Sequence, residues 1–193
     1  MTSASAPRPG VSNLVLVGPM GSGKSSIGRR LAEHFGLRLA DADREIESRA
    51  GCSVNQIFES EGEAGFRTRE RATLAELLQD EGLVLATGGG AVLDAANRSL
   101  MRERGFVVYL QAGVDQQLQR LAQDRTRPLL AHGDRERILR GLAEVRAPLY
   151  AQVAHLQFDT DGHSETDTAE HLARLLEVHW PFAAACRQRS IPS

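Results

Sequence analysis

The sequence predicts an α/β fold of three layers, with a parallel sheet between two sets of helices. Three observations carry that expectation. Five short apolar runs alternate with helical periodicity along the chain. An octapeptide, Gly18-Pro19-Met20-Gly21-Ser22-Gly23-Lys24-Ser25, joins the first run to the first helical pattern. Aspartates or glycines then follow the later runs, at the carboxyl ends of the strands, where ligands collect in open parallel sheets.

Taken in order, residues 1–11 are rich in Ala, Ser and Pro and are expected to be disordered, ahead of a single domain over 12–178. Asn13–Val17 reads as a buried strand, and Ile27, Leu31 and Phe35 recur four apart, as on the buried face of a helix. Leu37–Ala40 is a short strand ending at Asp41-Ala42-Asp43, after which a helical pattern runs through Glu45, Ile46 and Arg49 to Gly51. Ser53 caps a short helix carrying Val54, Ile57 and Phe58, and Phe66, Leu74, Leu77 and Leu78 mark another from about 63 to 79. The strand Leu83–Ala86 leads directly into Thr87-Gly88-Gly89-Gly90. Asp94 opens a helix to about Arg104, and Phe106–Leu110 is the fourth strand. A helix from about Asp115 enters an arginine-rich loop at 125–134, and the next helix spans about 135–150. His155–Phe158 is the last strand and Thr168–Val178 the last helix, leaving a tail, 179–193, that is either frayed or packed as a surface flap.

Composition narrows the function classes. A chain of 193 residues should bury about 70% of its unfolded surface, enough to fold without staples. Net charge is −2, with acids and arginines interspersed, so no basic stripe marks a nucleic-acid binder. Cys52 and Cys186 form no CxxC pair and the six histidines share no ligand spacing, which argues against a zinc site or disulfide framework. With no apolar leader and no membrane-length apolar run, the expected setting is cytoplasmic and the expected partners are small molecules.

The octapeptide fits the phosphate-loop pattern GxxxxGK[ST]. Its glycines let backbone N–H groups turn toward an anion, and the helix that follows adds its dipole and unpaired first-turn donors. Lys24 is the one lysine among 23 basic residues. Where composition has driven every other cation to arginine, a retained lysine marks a place for a compact ammonium against the β/γ-phosphates. Ser25 is placed to ligate Mg²⁺. Other residues admit two readings on spacing alone. Asp41 is a metal-directed carboxylate or a helix cap. Arg67 is a ligand arginine or one member of a solvated ladder with Glu63 and Glu70. Gly88–Gly90 is a ligand-approach segment or a simple turn, and the 125–134 loop is a lid or a solvated basic loop.

With these motifs in view the chain resembles the shikimate kinases. The likeness covers about 12–177 and rests on GPMGSGKS at 18–25, DAD at 41–43, GEAGFRTRE at 62–70, GGG at 88–90, RTRPLL at 125–130 and RAPLY at 146–150. It implies a nucleoside-monophosphate-kinase-like P-loop fold with a five-stranded parallel sheet and a mobile lid at about 120–134. The implied reaction is transfer of the γ-phosphoryl of MgATP to the 3-hydroxyl of shikimate, by a monomer. Gly21, Ser22, Gly23, Lys24, Ser25 and Ser26, with Arg120 and Arg127, would bind nucleotide. Asp43, Arg67, Gly88, Gly89, Gly90 and Arg146 would bind shikimate, the two arginines at its carboxylate. Ser25 and Asp41 would hold Mg²⁺, Lys24, Asp43 and Arg127 would be catalytic, and Arg120 would lie against adenine. In a loose phosphoryl-transfer transition state the expected part of Asp43 is positioning more than proton removal. The family's adenine loop after the last strand commonly reads D[TA]xxxxP, whereas Asp159-Thr160 is followed here by Asp161-Gly162-His163-Ser164-Glu165, without proline. Two rivals stand beside this reading: another small-metabolite kinase, such as a gluconate kinase, and a nucleotide-binding module without turnover. Asp43, Arg67 and the glycine triplet speak against the first, and joint retention of Asp41, Asp43 and Arg127 against the second.

Overall fold

The computed structural model describes residues 11–122 and 134–184. Five strands form one all-parallel sheet: β1 (Asn13–Val17), β2 (Arg38–Asp41), β3 (Leu83–Ala86), β4 (Gly105–Gln111) and β5 (Leu156–Asp159), in the order β2-β3-β1-β4-β5. β1 is central, with Leu14 opposite both Val84 and Phe106.

Strand alternation builds a core on each face of the sheet. Leu14 and Leu16 of β1 and Phe106, Val108 and Leu110 of β4 turn to one side, where α1 (Lys24–Phe35) and α7 (Glu165–His179) supply Ile27, Leu31, Leu172 and Leu176. Val15, Val17, Val107 and Tyr109 turn to the other. There they meet Leu74 and Leu77 of α3 (Val54–Leu77), Met101 of α4 (Ala95–Arg104) and Tyr150 and Val153 of α6 (Arg135–Val153). Two shorter α-helices, α2 (Ala42–Ala50) and α5 (Val114–Arg120), a 3-10 turn at Ala91–Leu93 and a helical turn at 181–184 complete the described chain. None of the described helices is long and apolar enough to cross a membrane.

Several boundaries differ from the sequence expectation for identifiable reasons. The two helices expected on either side of residue 62 are present as the two halves of the span α3, which breaks at Gly62, whose φ of 70° and ψ of −176° are non-helical. Ser53 caps that span with a full capping box, its side chain accepting from the Gln56 N–H while the Gln56 side chain accepts from the Ser53 N–H. α7 starts three residues before the expected Thr168, because Ser164 caps it by accepting from the Asp167 N–H. The tail is packed as far as it is described. Trp180 and Ala183 are fully buried, and the Trp180 indole N–H donates to Val11 O at 2.9 Å.

Candidate active site

β1 delivers the chain to the carboxyl edge of the sheet, and the phosphate loop turns there with positive φ at Gly18, Gly21 and Gly23. α1 begins at Lys24 with no side-chain cap, so its first-turn N–H groups are left to an anion. Lys24 is 9% exposed, and its ammonium donates to Gly18 O at 2.9 Å and Pro19 O at 2.7 Å. Ser22 is fully buried behind the loop, where its N–H donates to Pro19 O at 3.3 Å and its hydroxyl accepts from Lys24 at 3.4 Å.

Asp41 caps α2 and also faces the phosphate loop. One carboxylate oxygen caps α2 by accepting from the N–H groups of Asp43 (3.1 Å) and Arg44 (3.3 Å). The other accepts from the Ser25 hydroxyl at 2.5 Å. Among the described residues no group of three or more His, Cys, Asp and Glu could hold a metal ion. The Ser25–Asp41 pair nevertheless fits Mg²⁺, which favours hard oxygen donors and keeps most of its coordination for phosphate and water.

A cleft of about 490 Å³ opens beside the loop, running from Gly21 and Lys24–Ser26 to Asp43, Arg67, Gly88–Gly90 and Arg146, with Val54, Phe58 and Phe66 as an apolar wall. The glycine triplet is a point of close approach more than a simple turn. A Cβ on Gly88 would lie 2.8 Å from carboxylate oxygens of both Asp43 and Glu70, and one on Gly90 would run into the Arg67 guanidinium. Arg67 does carry its ladder, bonding Glu63 at 3.0 Å and Glu70 at 2.7 Å. The two partners differ: Glu63 faces solvent, whereas Glu70 is 1% exposed and one of its oxygens has no hydrogen-bond partner. Burial pushes the Glu70 carboxyl above its ordinary range, against the pull of Arg67, and the neighbouring Asp43 adds to the rise. Arg146 is also buried, with one guanidinium nitrogen 3.6 Å from the Cβ position of Gly89. The Tyr150 hydroxyl donates to Gly89 O, pinning the triplet from behind.

Sequence reasoning named Glu70 only as a surface partner of Arg67, and nothing in its spacing distinguished it from Glu63. Glu70 is buried because α3 packs its Leu74 and Leu77 under the sheet, which turns that part of the helix inward. On the opposite side of the phosphate loop, Arg120 at the end of α5 donates to Gly21 O at 3.0 Å and to Thr160 Oγ1 and O at 3.1 and 3.0 Å. It does not line the cleft. Of the lid expected at about 120–134, residues 123–133, Arg127 among them, lie outside the described residues.

A phosphate loop on the central strand, with a polar pocket opening beside it, is what passage of a phosphoryl group between two small molecules requires. The fold and site thus define a P-loop small-molecule kinase. Comparison with known proteins makes this specific: the family model for shikimate kinase matches residues 20–177, and the chain belongs to that family. The shikimate kinase of Stenotrophomonas maltophilia (strain K279a) is 52% identical over 168 residues, covering 87% of this chain and 93% of the relative. That of Xanthomonas campestris pv. campestris (strain 8004) is 52% identical over 172 residues, covering 89% and 96%. Among solved structures, shikimate kinase from Acinetobacter baumannii in complex with shikimate superposes with a TM-score of 0.86 at 46% identity, covering 89% of this chain and 96% of that one.

Proposed function

We propose that this chain transfers the γ-phosphoryl of ATP to the 3-hydroxyl of shikimate, giving shikimate 3-phosphate and ADP on the route to chorismate and the aromatic amino acids. The observation that carries the reading is the convergence of Arg67, Arg146, Asp43 and the glycine triplet in one cleft with the phosphate loop. Two guanidiniums suit a carboxylate, whose planar fork they match. Asp43 and the backbone of Gly88–Gly90 suit the hydroxyls, and Asp43 aligns the one that accepts phosphate. Gluconate also carries a carboxylate, but the rigid apolar wall of Val54, Phe58 and Phe66 favours a ring over a flexible chain.

On the donor side, Lys24 would meet the β/γ-phosphates, with backbone N–H groups from Gly21 to Ser26. Ser25 and Asp41 would hold the Mg²⁺ that accompanies ATP, which supplies charge neutralisation at the phosphate oxygens. Arg120 is the candidate neighbour of the base, and Arg127 the lid cation over the transferring group. The proposed kinase unit is residues 12–178. In this reading it acts as a monomer in the cytoplasm. A coupled assay of ADP release tests the reading, with shikimate, gluconate and nucleoside monophosphates offered in turn. Turnover with shikimate alone is expected, and preference for another acceptor would displace it.

A further inference from the structure

The glycine triplet runs along the cleft, with Gly88 beside Asp43, Gly89 beside Arg146 and Gly90 beneath the Arg67 guanidinium. It is also the centre of a β-turn, closed by the Ala91 N–H donating to Gly88 O at 3.1 Å. Gly90, at φ −98° and ψ −2°, has the dihedrals of the third residue of a type I turn. A type II turn would close the same ends with the Gly89–Gly90 peptide turned over and with positive φ at Gly90. A side chain at position 90 would oppose that flip, and glycine does not. The orientation of this peptide therefore depends on what holds it from outside.

Tyr150 holds it. This residue lies on α6 one turn after Arg146, is 2% exposed, and packs its ring on Tyr109 with the centroids 5.0 Å apart. Its hydroxyl donates to Gly89 O from behind the cleft, which Tyr150 itself does not line. In a trans peptide the N–H points opposite to the carbonyl, so the Gly90 N–H is aimed away from Tyr150 and toward the cleft, beside Arg67. Among the described residues no group accepts from it. Turned over, the same peptide would present a carbonyl oxygen beside two guanidiniums placed for a carboxylate, and would repel what they attract. Burial, the largest influence, pushes the Tyr150 phenol well above its ordinary range, so it remains a donor in alkaline solution.

We propose that Tyr150 is a positioning residue for shikimate: by holding Gly89 O it locks the glycine turn in the one orientation that presents the Gly90 N–H to the substrate. This rests on the reading of the cleft as the shikimate site. Tyr150→Phe keeps the ring and its packing and removes only the hydroxyl. In the full chain it should raise KM for shikimate about threefold to tenfold, with KM for ATP and MgADP affinity by calorimetry unchanged. Nuclear magnetic resonance on the ¹⁵N-labelled chain gives a reading that lost packing would not move. The Gly90 amide should be a single sharp signal in the parent, shifting when shikimate is added, and should broaden or double in Tyr150→Phe. Thermal melts identify a variant that fails to fold, in which case the parent decides: a Gly90 amide unmoved by bound shikimate would overturn the proposal. A parent that bound no shikimate would remove the cleft reading and this proposal with it. A parent that bound normally alongside a Tyr150→Phe chain of unchanged KM would overturn this proposal alone. So would equal rises in both KM values.

Discussion

Lys24 shows why an ammonium and a guanidinium differ at this site. Its Nζ lies 2.9 Å and 2.7 Å from two carbonyls of the loop it must bridge. A guanidinium is planar and wider, with no conformation that presents one compact charge in that space. Lys24→Arg is therefore expected to fail almost as badly as Lys24→Ala, each losing on the order of 100-fold or more in turnover. Circular dichroism should show an intact fold, and a Lys24→Arg enzyme of near-parental rate would contradict the argument. Arg67 and Arg146 present the reverse case, where the fork matters more than the charge. Lysine at either position should raise KM for shikimate about tenfold, with far less effect on KM for ATP. Equal effects on both substrates would reduce Arg67 to a partner of Glu63 and Glu70.

At the scale of elements, the apolar runs were enough to locate all five strands, most plainly β1, β3 and β4, which are buried on both faces and leave a strong pattern, while the edge strands β2 and β5 are partly exposed. Contacts across the fold were less legible. The cap made by Ser164 lies in a polar stretch without periodicity, so α7 was expected to begin three residues late. Asp41 offered two readings in sequence; the structure shows the helix cap on one oxygen, while the other accepts from Ser25. Glu70 looked like Glu63 until packing buried it, and the support of α5 by Thr160 and Asp161 joins residues 40 or more apart, beyond any local signal. The lid belongs to this scale too. If Arg127 meets the γ-phosphoryl on closure, Arg127→Ala should lower kcat on the order of 10³-fold while MgADP affinity moves only a few-fold. A kcat within threefold of the parent would remove Arg127 from that role.

The whole molecule is two apolar layers sharing one sheet, and its edge strand β5 depends on a titratable ring. His155 Nδ1 accepts from the Val107 N–H at 2.9 Å, a bond that the protonated ring cannot make. Burial first, and the charge of Arg102 second, hold this histidine down to about 4 from an ordinary 6.5. Between those values the unfolded chain takes up a proton that the folded chain refuses, so this contribution to stability is present above pH 6.5 and is lost as pH falls toward 4. Thermal melts across that window should show a falling midpoint, and His155→Gln should flatten the His155 part of the slope. The tail contributes a different property. Trp180 is the one tryptophan of the chain; it packs edge-on against Phe35 at 5.7 Å and stacks near Phe106 at 6.2 Å. Phe35 ends α1 and Phe106 is the second residue of β4, so the indole sits at the amino edge of the sheet, with Lys24 about 16 Å from Phe35 at the far end of α1 at helical rise. Excited selectively, this fluorophore should respond strongly when denaturant frees the chain ends and stay silent while nucleotide or shikimate fills the cleft. Unfolding can thus be followed optically without a label, and a binding titration on the same chain calls for another signal.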